Sequence, residues 1–251
     1  MIARKTFSSG LVLVGTVHHD PIGYVKLQRV LAAVRPDIIT LELSSYGRGF
    51  RNKYSRRLSL RIRSHAQALQ GPGNEPLRIL PAAVEQLLSA IAFPFEYCAA
   101  REYAVACKVP LYCIDLSRIS RQRLRILKNE ALTRRNIATL LALPDKNLLN
   151  SVNLCYKKAA AVWHEPGDSL RLPAAIDPAD SERDRHMSRR LRNLCVKFPH
   201  KLILHIAGWV HCASSAGLLN LYGLLQDLNP QRVLLDKTWS DNRPGLSGSL
   251  D

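Results

Sequence analysis

The sequence predicts an α/β protein: a mostly parallel central sheet flanked by helices, with a helical insertion in the middle. Three observations carry this. A continuous apolar run at Leu11–Val14 and apolar-rich runs at Ile38–Leu43, Leu111–Ile114 and Leu202–Ala207 suit strands buried in a parallel sheet. Helically spaced apolar residues separate the runs. The two ends also share a weak internal repeat of strand, GxxH, helix, Pro, strand and carboxylate. One copy holds Gly15-Thr16-Val17-His18, Pro36 and Glu42; the other holds Gly208-Trp209-Val210-His211, Pro230 and Asp236.

Taken in order, Leu11–Val14 is a strand ended by Gly15, where glycine is expected to let the chain bend. Leu27, Val30, Leu31 and Val34 then follow helical spacing until Pro36 stops it, and Ile38–Leu43 is the second strand. That is a strand–helix–strand crossover with parallel strands. Residues 70–76 form a loop by their Gly and Pro content. Ala82–Phe93 and Phe95–Lys108 read as helices punctuated by Pro94, and Pro110–Asp115 as a strand. A long basic helix is expected from Ser117 to about Leu143, with Ser117 or Ser120 as its N-cap. The segment from Asp145 to Glu165 carries a weaker pattern. Asp180 opens a helix to about Val196. Leu202–Ala207 is a strand, a helix follows through Leu218, Leu221 and Leu225, and Arg232–Asp236 is the last strand.

One domain is read over residues 1–240, with 241–251 as a disordered tail rich in Gly, Ser, Pro and Asp. The chain has 251 residues, 47% of them hydrophobic, enough to bury a good-sized core. No run fits a signal peptide or a membrane span. The six cysteines form no CxxC pair, so buried thiols in a reducing, cytoplasmic setting fit better than disulfides or a zinc site. The net charge of +16 concentrates in Arg48–Arg63, Arg118–Arg135 and Arg183–Lys201. Those runs are either solvated helix faces or a surface for an acidic partner, anionic lipid or nucleic acid. No recognisable nucleic-acid module accompanies them.

In an open parallel sheet, ligands bind beyond the carboxyl ends of the strands. His18 and His211 each follow a strand, and Glu42, Asp115 and Asp236 end the others. Each has a plainer alternative. A histidine after a strand often bonds its own turn, Asp115 suits a cap for the helix at Ser117, and Asp236 suits a structural role. Glu42 is the more telling, because an ionised carboxylate is costly in an apolar run without a partner. His205 reads as a core histidine or one behind the site.

These segments, with Arg35-Pro36-Asp37-Ile38-Ile39-Thr40-Leu41-Glu42-Leu43, Phe95–Glu102 and Glu182-Arg183-Asp184-Arg185-His186-Met187, resemble the TraB/PrgY family in order and spacing. That family is grouped with Tiki metalloproteases, erythromycin esterases and ChaN-like haem-binding lipoproteins. The resemblance spans about residues 10 to 236. Two differences stand out: the nearest arginine after Glu42 is Arg48, and Trp209 is bulky where a small residue is common. The C-terminal membrane helices of many TraB-like proteins are not seen, which suggests a minimal soluble version.

The resemblance implies a site built from His18, Glu42, Glu96, Arg183 and His211. On the Tiki pattern, His18 and His211 would hold a divalent ion (Mn, Fe, Co or Zn) together with a carboxylate, Glu42 or Glu96, and the ion would lower the pKa of bound water from about 15.7 toward 7. The second carboxylate would take the proton and Arg183 would stabilise the oxyanion. The substrate would be a peptide or small ester. On the esterase pattern the same residues would act without metal, His18 or His211 serving as base. The competing expectation is a non-catalytic or regulatory protein that binds haem, metal or a partner.

Overall fold

The computed structural model describes residues 10–69, 80–144, 147–163, 178–214, 220–236 and 238. Five strands form one all-parallel sheet in the order β3-β2-β4-β1-β5. They are β1 (Leu11–Thr16), β2 (Ile38–Leu41), β3 (Leu111–Cys113), β4 (Ile203–Gly208) and β5 (Gln231–Leu234). Every residue of β1, β2 and β4 is buried, as continuous apolar runs require when helices cover both faces.

β1 and β4 are neighbours although almost the whole chain separates them, paired from Leu11↔Ile203 to Thr16↔Gly208. β2 pairs with the other side of β4, so the crossover from β1 to β2 leaves a gap that β4 fills. The ends of β2, β4 and β1 therefore lie side by side. The register is offset by one against the GxxH repeat: Gly208 faces Thr16, not Gly15.

Nine α-helices are present among the described residues. α1 (Gly23–Val34) buries Leu27, Val30, Leu31 and Val34. It ends with Arg35 in the left-handed region (φ 50°), whose N–H bonds Leu31 O, just before Pro36. α3 (Ala82–Ile91) and α4 (Phe95–Cys107) follow the expected pattern, and α4 packs on α1. α8 (Pro178–Lys197) aims Arg183 and Asp184 inward beside the buried Met187 and Leu191.

α2 (Ser45–Leu69) turns the first basic run into a 25-residue helix, started by Ser44 Oγ accepting from Gly47 N at 2.8 Å. A second apolar cluster lies among α2, α3 and the helices after β3, built on Phe50, Leu58, Ile62, Val84, Ile91 and Ile137. The expected Ser117–Leu143 helix is broken. α5 (Ser117–Ile126) runs into a π-helical turn at Leu127–Ala131, and α6 (Arg134–Leu141) starts afresh. Thr133 Oγ1 accepts from Asn136 N at 3.2 Å, a local bond that nucleates a new N-terminus. Neither serine is the N-cap of α5; Leu116 is, and Ser117 Oγ instead accepts from Tyr46 N.

The weak 145–165 pattern becomes α7 (Leu148–Trp163). After β4 a single turn, α9 (Trp209–Cys212), replaces the long helix, and a 3-10 segment follows at Gly223–Leu228. Buried Asn220 causes the stop: its amide donates to Val210 O (2.8 Å) and Ala213 O (2.9 Å), serving carbonyls that a longer helix would need. The 70–76 loop, Leu218 and the 241–251 tail lie outside the described residues. All six cysteines are free thiols, but only Cys212 is buried, whereas Cys98 and Cys107 are exposed. They lie on the outer turns of α4, where an apolar neighbourhood in sequence is no guarantee of burial. Among the described residues no helix is long and apolar enough to cross a membrane.

Candidate functional site

The chain leaves β1 through a turn at Val17–Asp20 closed by Asp20 N→Val17 O (3.3 Å). His19 takes φ 64° there, the left-handed conformation that lets the chain reverse in the turn. A buried cluster anchors the turn. Tyr156 Oη donates to Asp20 Oδ2 (2.9 Å), Lys26 Nζ donates to the same oxygen (2.8 Å), and Val17 N donates to Tyr156 Oη (3.4 Å). Burial and the Asp20 charge push the Tyr156 phenol up, so it acts only as a neutral hydrogen-bonding group.

The turn sets His18 over the strand ends. Its Nδ1 lies 2.9 Å from Glu96 Oε1, which is also 2.9 Å from Thr16 Oγ1. Glu96 comes from the first turn of α4 and is 8% exposed in its side chain. Its Oε2 is buried with no hydrogen-bond partner among the described residues. Enclosure would lower the His18 pKa, but the bond and charge of Glu96 outweigh it and raise the ring to about 9. Over half of the His18 side chain (54%) still opens to water. Solvent screens the Glu96 charge and leaves the ring free to exchange its proton.

The second half of the site is sealed. Glu42 directly follows β2, and its Oε2 accepts from Gly208 N at 2.7 Å. Its Oε1 takes the Arg183 guanidinium and lies 3.2 Å from His211 Nε2. His211 Nδ1 bonds Asp184 Oδ1 at 2.6 Å. Burial alone would lower His211, yet Glu42 and Asp184 together lift it to about 10, so both ring nitrogens carry protons at neutral pH. Burial would raise Glu42, but His211 first, then Arg183 and His18, hold it well below the usual carboxylate range. Burial pushes Asp184 up, and His211 holds the proton they compete for.

Arg183 spans three carboxylates. Its Nε donates to Asp115 Oδ1 (2.9 Å), one terminal nitrogen reaches both Asp115 Oδ2 (3.1 Å) and Glu42, and the other reaches Asp180 Oδ1 (3.0 Å). So engaged, it orients Glu42 rather than facing open space. Asp115 is a partner of Arg183 and not a cap of α5: its Oδ1 accepts from Leu116 N at 2.7 Å, ahead of the helix's first turn.

The two halves meet at Gly208. A Cβ there would lie 3.1 Å from His18 Nε2 and 3.5 Å from Glu42 Oε2. Gly208 has φ −56° and ψ 139°, open to any residue, so its bare Cα serves close approach and not backbone bending. Gly15 is similar: a Cβ there would meet the Trp163 ring at 2.6 Å and Trp209 Cα at 3.2 Å. The expected bending role of the two glycines gives way to packing at both.

All five residues expected from the resemblance thus join one assembly. Asp115 enters it, whereas Asp236 closes its own turn by accepting from Thr238 N at 3.0 Å. Arg48 is exposed, and Arg183 is the cation at Glu42. His205 is a core residue, 2.9 Å from Thr40 Oγ1 and held neutral by burial, which lowers it to about 4. Asp184 was missed by sequence reasoning although it sits beside Arg183. Thr16, Asp20, Lys26 and Tyr156 had no signal beyond proximity of the first two to His18.

The donors fit a divalent ion poorly. Among the described residues no three His, Cys, Asp or Glu groups form a metal-binding cluster. Of His18, His211 and Glu42, His211 has both ring nitrogens engaged by carboxylates, whereas His18 Nε2 and the second lone pair of Glu42 Oε2 have no partner among the described residues. Ligation by all three would require His211 to lose a proton and to leave Asp184 or Glu42. Comparison with protein-family models, curated proteins and solved structures finds no match for this chain.

Proposed function

We propose that this protein is a hydrolase that cuts a peptide or small ester bond, with water activated between His18 and Glu42. One observation carries the reading: His18 Nε2 and Glu42 Oε2 flank the bare Cα of Gly208, while Glu96 holds the far side of the imidazole. The TraB-like order of the motifs supports the same reaction class.

In the reactive form His18 is neutral, with Nδ1–H donating to Glu96 and Nε2 accepting a proton from water, as a carboxylate-oriented imidazole does in other hydrolases. Glu42, ionised throughout, accepts the water's second hydrogen. The oxygen adds to the substrate carbonyl, and His18 returns its proton to the leaving amine or alcohol. His211 and Arg183 set the field that offsets charge developing on the carbonyl oxygen.

A non-catalytic binding role is the second reading. It is favoured by the degree to which Glu42, Arg183, Asp115, His211 and Asp184 satisfy one another. A panel of nitrophenyl esters and fluorogenic peptides separates the readings, using the native chain and His18→Ala after chelation and after adding Mn, Fe, Co or Zn. Turnover that survives chelation and vanishes in His18→Ala supports the proposal. Turnover that appears only with an ion and vanishes in His211→Ala moves the chemistry to the metal-dependent form. No turnover from folded protein in any condition sinks the hydrolase reading.

A further inference from the structure

Tertiary packing gathers two of the three Arg-rich runs onto one surface. α2 and α5 lie against each other, with Arg121 of α5 over the Tyr46 ring (5.1 Å) and Lys128 of the following π-helical turn over the Tyr54 ring (4.4 Å). The apolar stripe of α2, Phe50, Leu58, Ile62 and Ala66, is spent on the cluster beneath. Its opposite face exposes Lys53, Arg56, Arg57, Arg61 and Arg63, and no Asp or Glu occurs anywhere in its 25 residues. α5 is different: Arg118 pairs with Glu182, and Arg123 with Asp180 at 3.0 Å. The positive field is therefore least compensated along α2.

We propose that the solvent face of α2, flanked by α5, docks the phosphate backbone of a nucleic acid. From Lys53 to Arg63 the row spans about 15 Å at 1.5 Å per residue. That is room for about four phosphates of one strand, spaced at about 3.4 Å of axis. Six of the seven cations of α2 are arginines, whose planar fork matches phosphate oxygens. Leu60 is the one exposed large hydrophobic of α2, so this helix has no free apolar face to seat in a bilayer. The contact is to backbone and not to bases, and it does not depend on the hydrolase reading.

The test is fluorescence anisotropy with labelled duplex DNA and single-stranded RNA of ~20 nucleotides, titrated between about 50 and 200 mM salt. The triple variant Arg56→Gln, Arg57→Gln, Arg63→Gln is expected to bind at least about tenfold more weakly, with the duplex salt slope lower by about 2 to 3. The control triple Arg101→Gln, Lys157→Gln, Lys158→Gln removes the same charge from exposed positions on α4 and α7 and is expected to keep most of the affinity. Equal loss in both triples would reduce the effect to net charge and overturn the proposal. So would stronger binding to phosphatidylserine vesicles or polyglutamate than to either nucleic acid, or no binding at the lowest salt.

Discussion

A methyl group added at Gly208 separates the chemistry of the site from its stability. The alanine Cβ would lie 3.1 Å from His18 Nε2 and 3.5 Å from Glu42 Oε2. The first contact is tight by a few tenths of an ångström, and His18 can yield because over half of its side chain faces water. The backbone at 208 suits alanine (φ −56°, ψ 139°), and replacing glycine there stiffens the unfolded chain by about 0.4–1 kcal/mol in favour of folding. Those effects oppose each other, and with His18 free to yield the net shift in stability should stay below about 1 kcal/mol, under the ~1–3 kcal/mol of an overpacked rigid core. Activity should respond differently. Displacing the base and filling the space beside it is expected to cost about 100-fold in kcat, or about 2.7 kcal/mol of barrier. Urea denaturation and steady-state turnover on the best substrate of the panel read the two quantities. Unchanged kcat would refute the placement of the reaction between His18 and Glu42. A loss of several kcal/mol in stability would make Gly208 a packing residue instead.

The combined contribution of His211 and Glu42 should be complete between about pH 4.5 and 6.5, superimposed on the opposite slope from His205, whose low folded value costs stability as pH falls below 6.5; thermal melts across pH follow both. His211 is raised to about 10 in the fold, so its contribution is complete below its unfolded value near 6.5 and is lost as pH climbs through 10. Glu42 is held low, so its contribution is present above its ordinary value and is lost on acidification. His211→Gln should flatten the alkaline limb; a limb of unchanged size would disprove the assignment. Glu96→Gln removes the charge that raises His18, so the rising limb of the pH–rate profile should move to lower pH while kcat falls. A profile that stays in place would remove Glu96 from the mechanism. Arg183→Met leaves Asp115 and Glu42 buried without their cation and should cost about 3–5 kcal/mol by urea denaturation. A loss below about 1 kcal/mol would show that the pairing stabilises little.

Much of the frame was legible because it is local. Parallel strands buried on both faces are mostly apolar, so β1, β2 and β4 could be read from composition, and Pro36 marked where α1 stops. Glu42 drew notice because a carboxylate beside an apolar run needs partners, and it has three. What the sequence determined alone was where the buried strands lie, that α1 stops before Pro36, and which side chains are too costly to bury unpaired. The rest was decided by packing between distant segments. β4 slots between β1 and β2, which puts Gly208 against Thr16 and brings two histidines from opposite ends of the chain to one edge. Only that placement shows Gly208 and Gly15 as sites of close approach, Asp184 as the partner of His211, and Asn220 as the group that ends α9. α2 and α5 likewise join two basic runs that the sequence keeps more than fifty residues apart. Hydrophobic burial is written into short stretches of chain, whereas ion pairs and close approaches depend on distances that exist only once the sheet has closed its register.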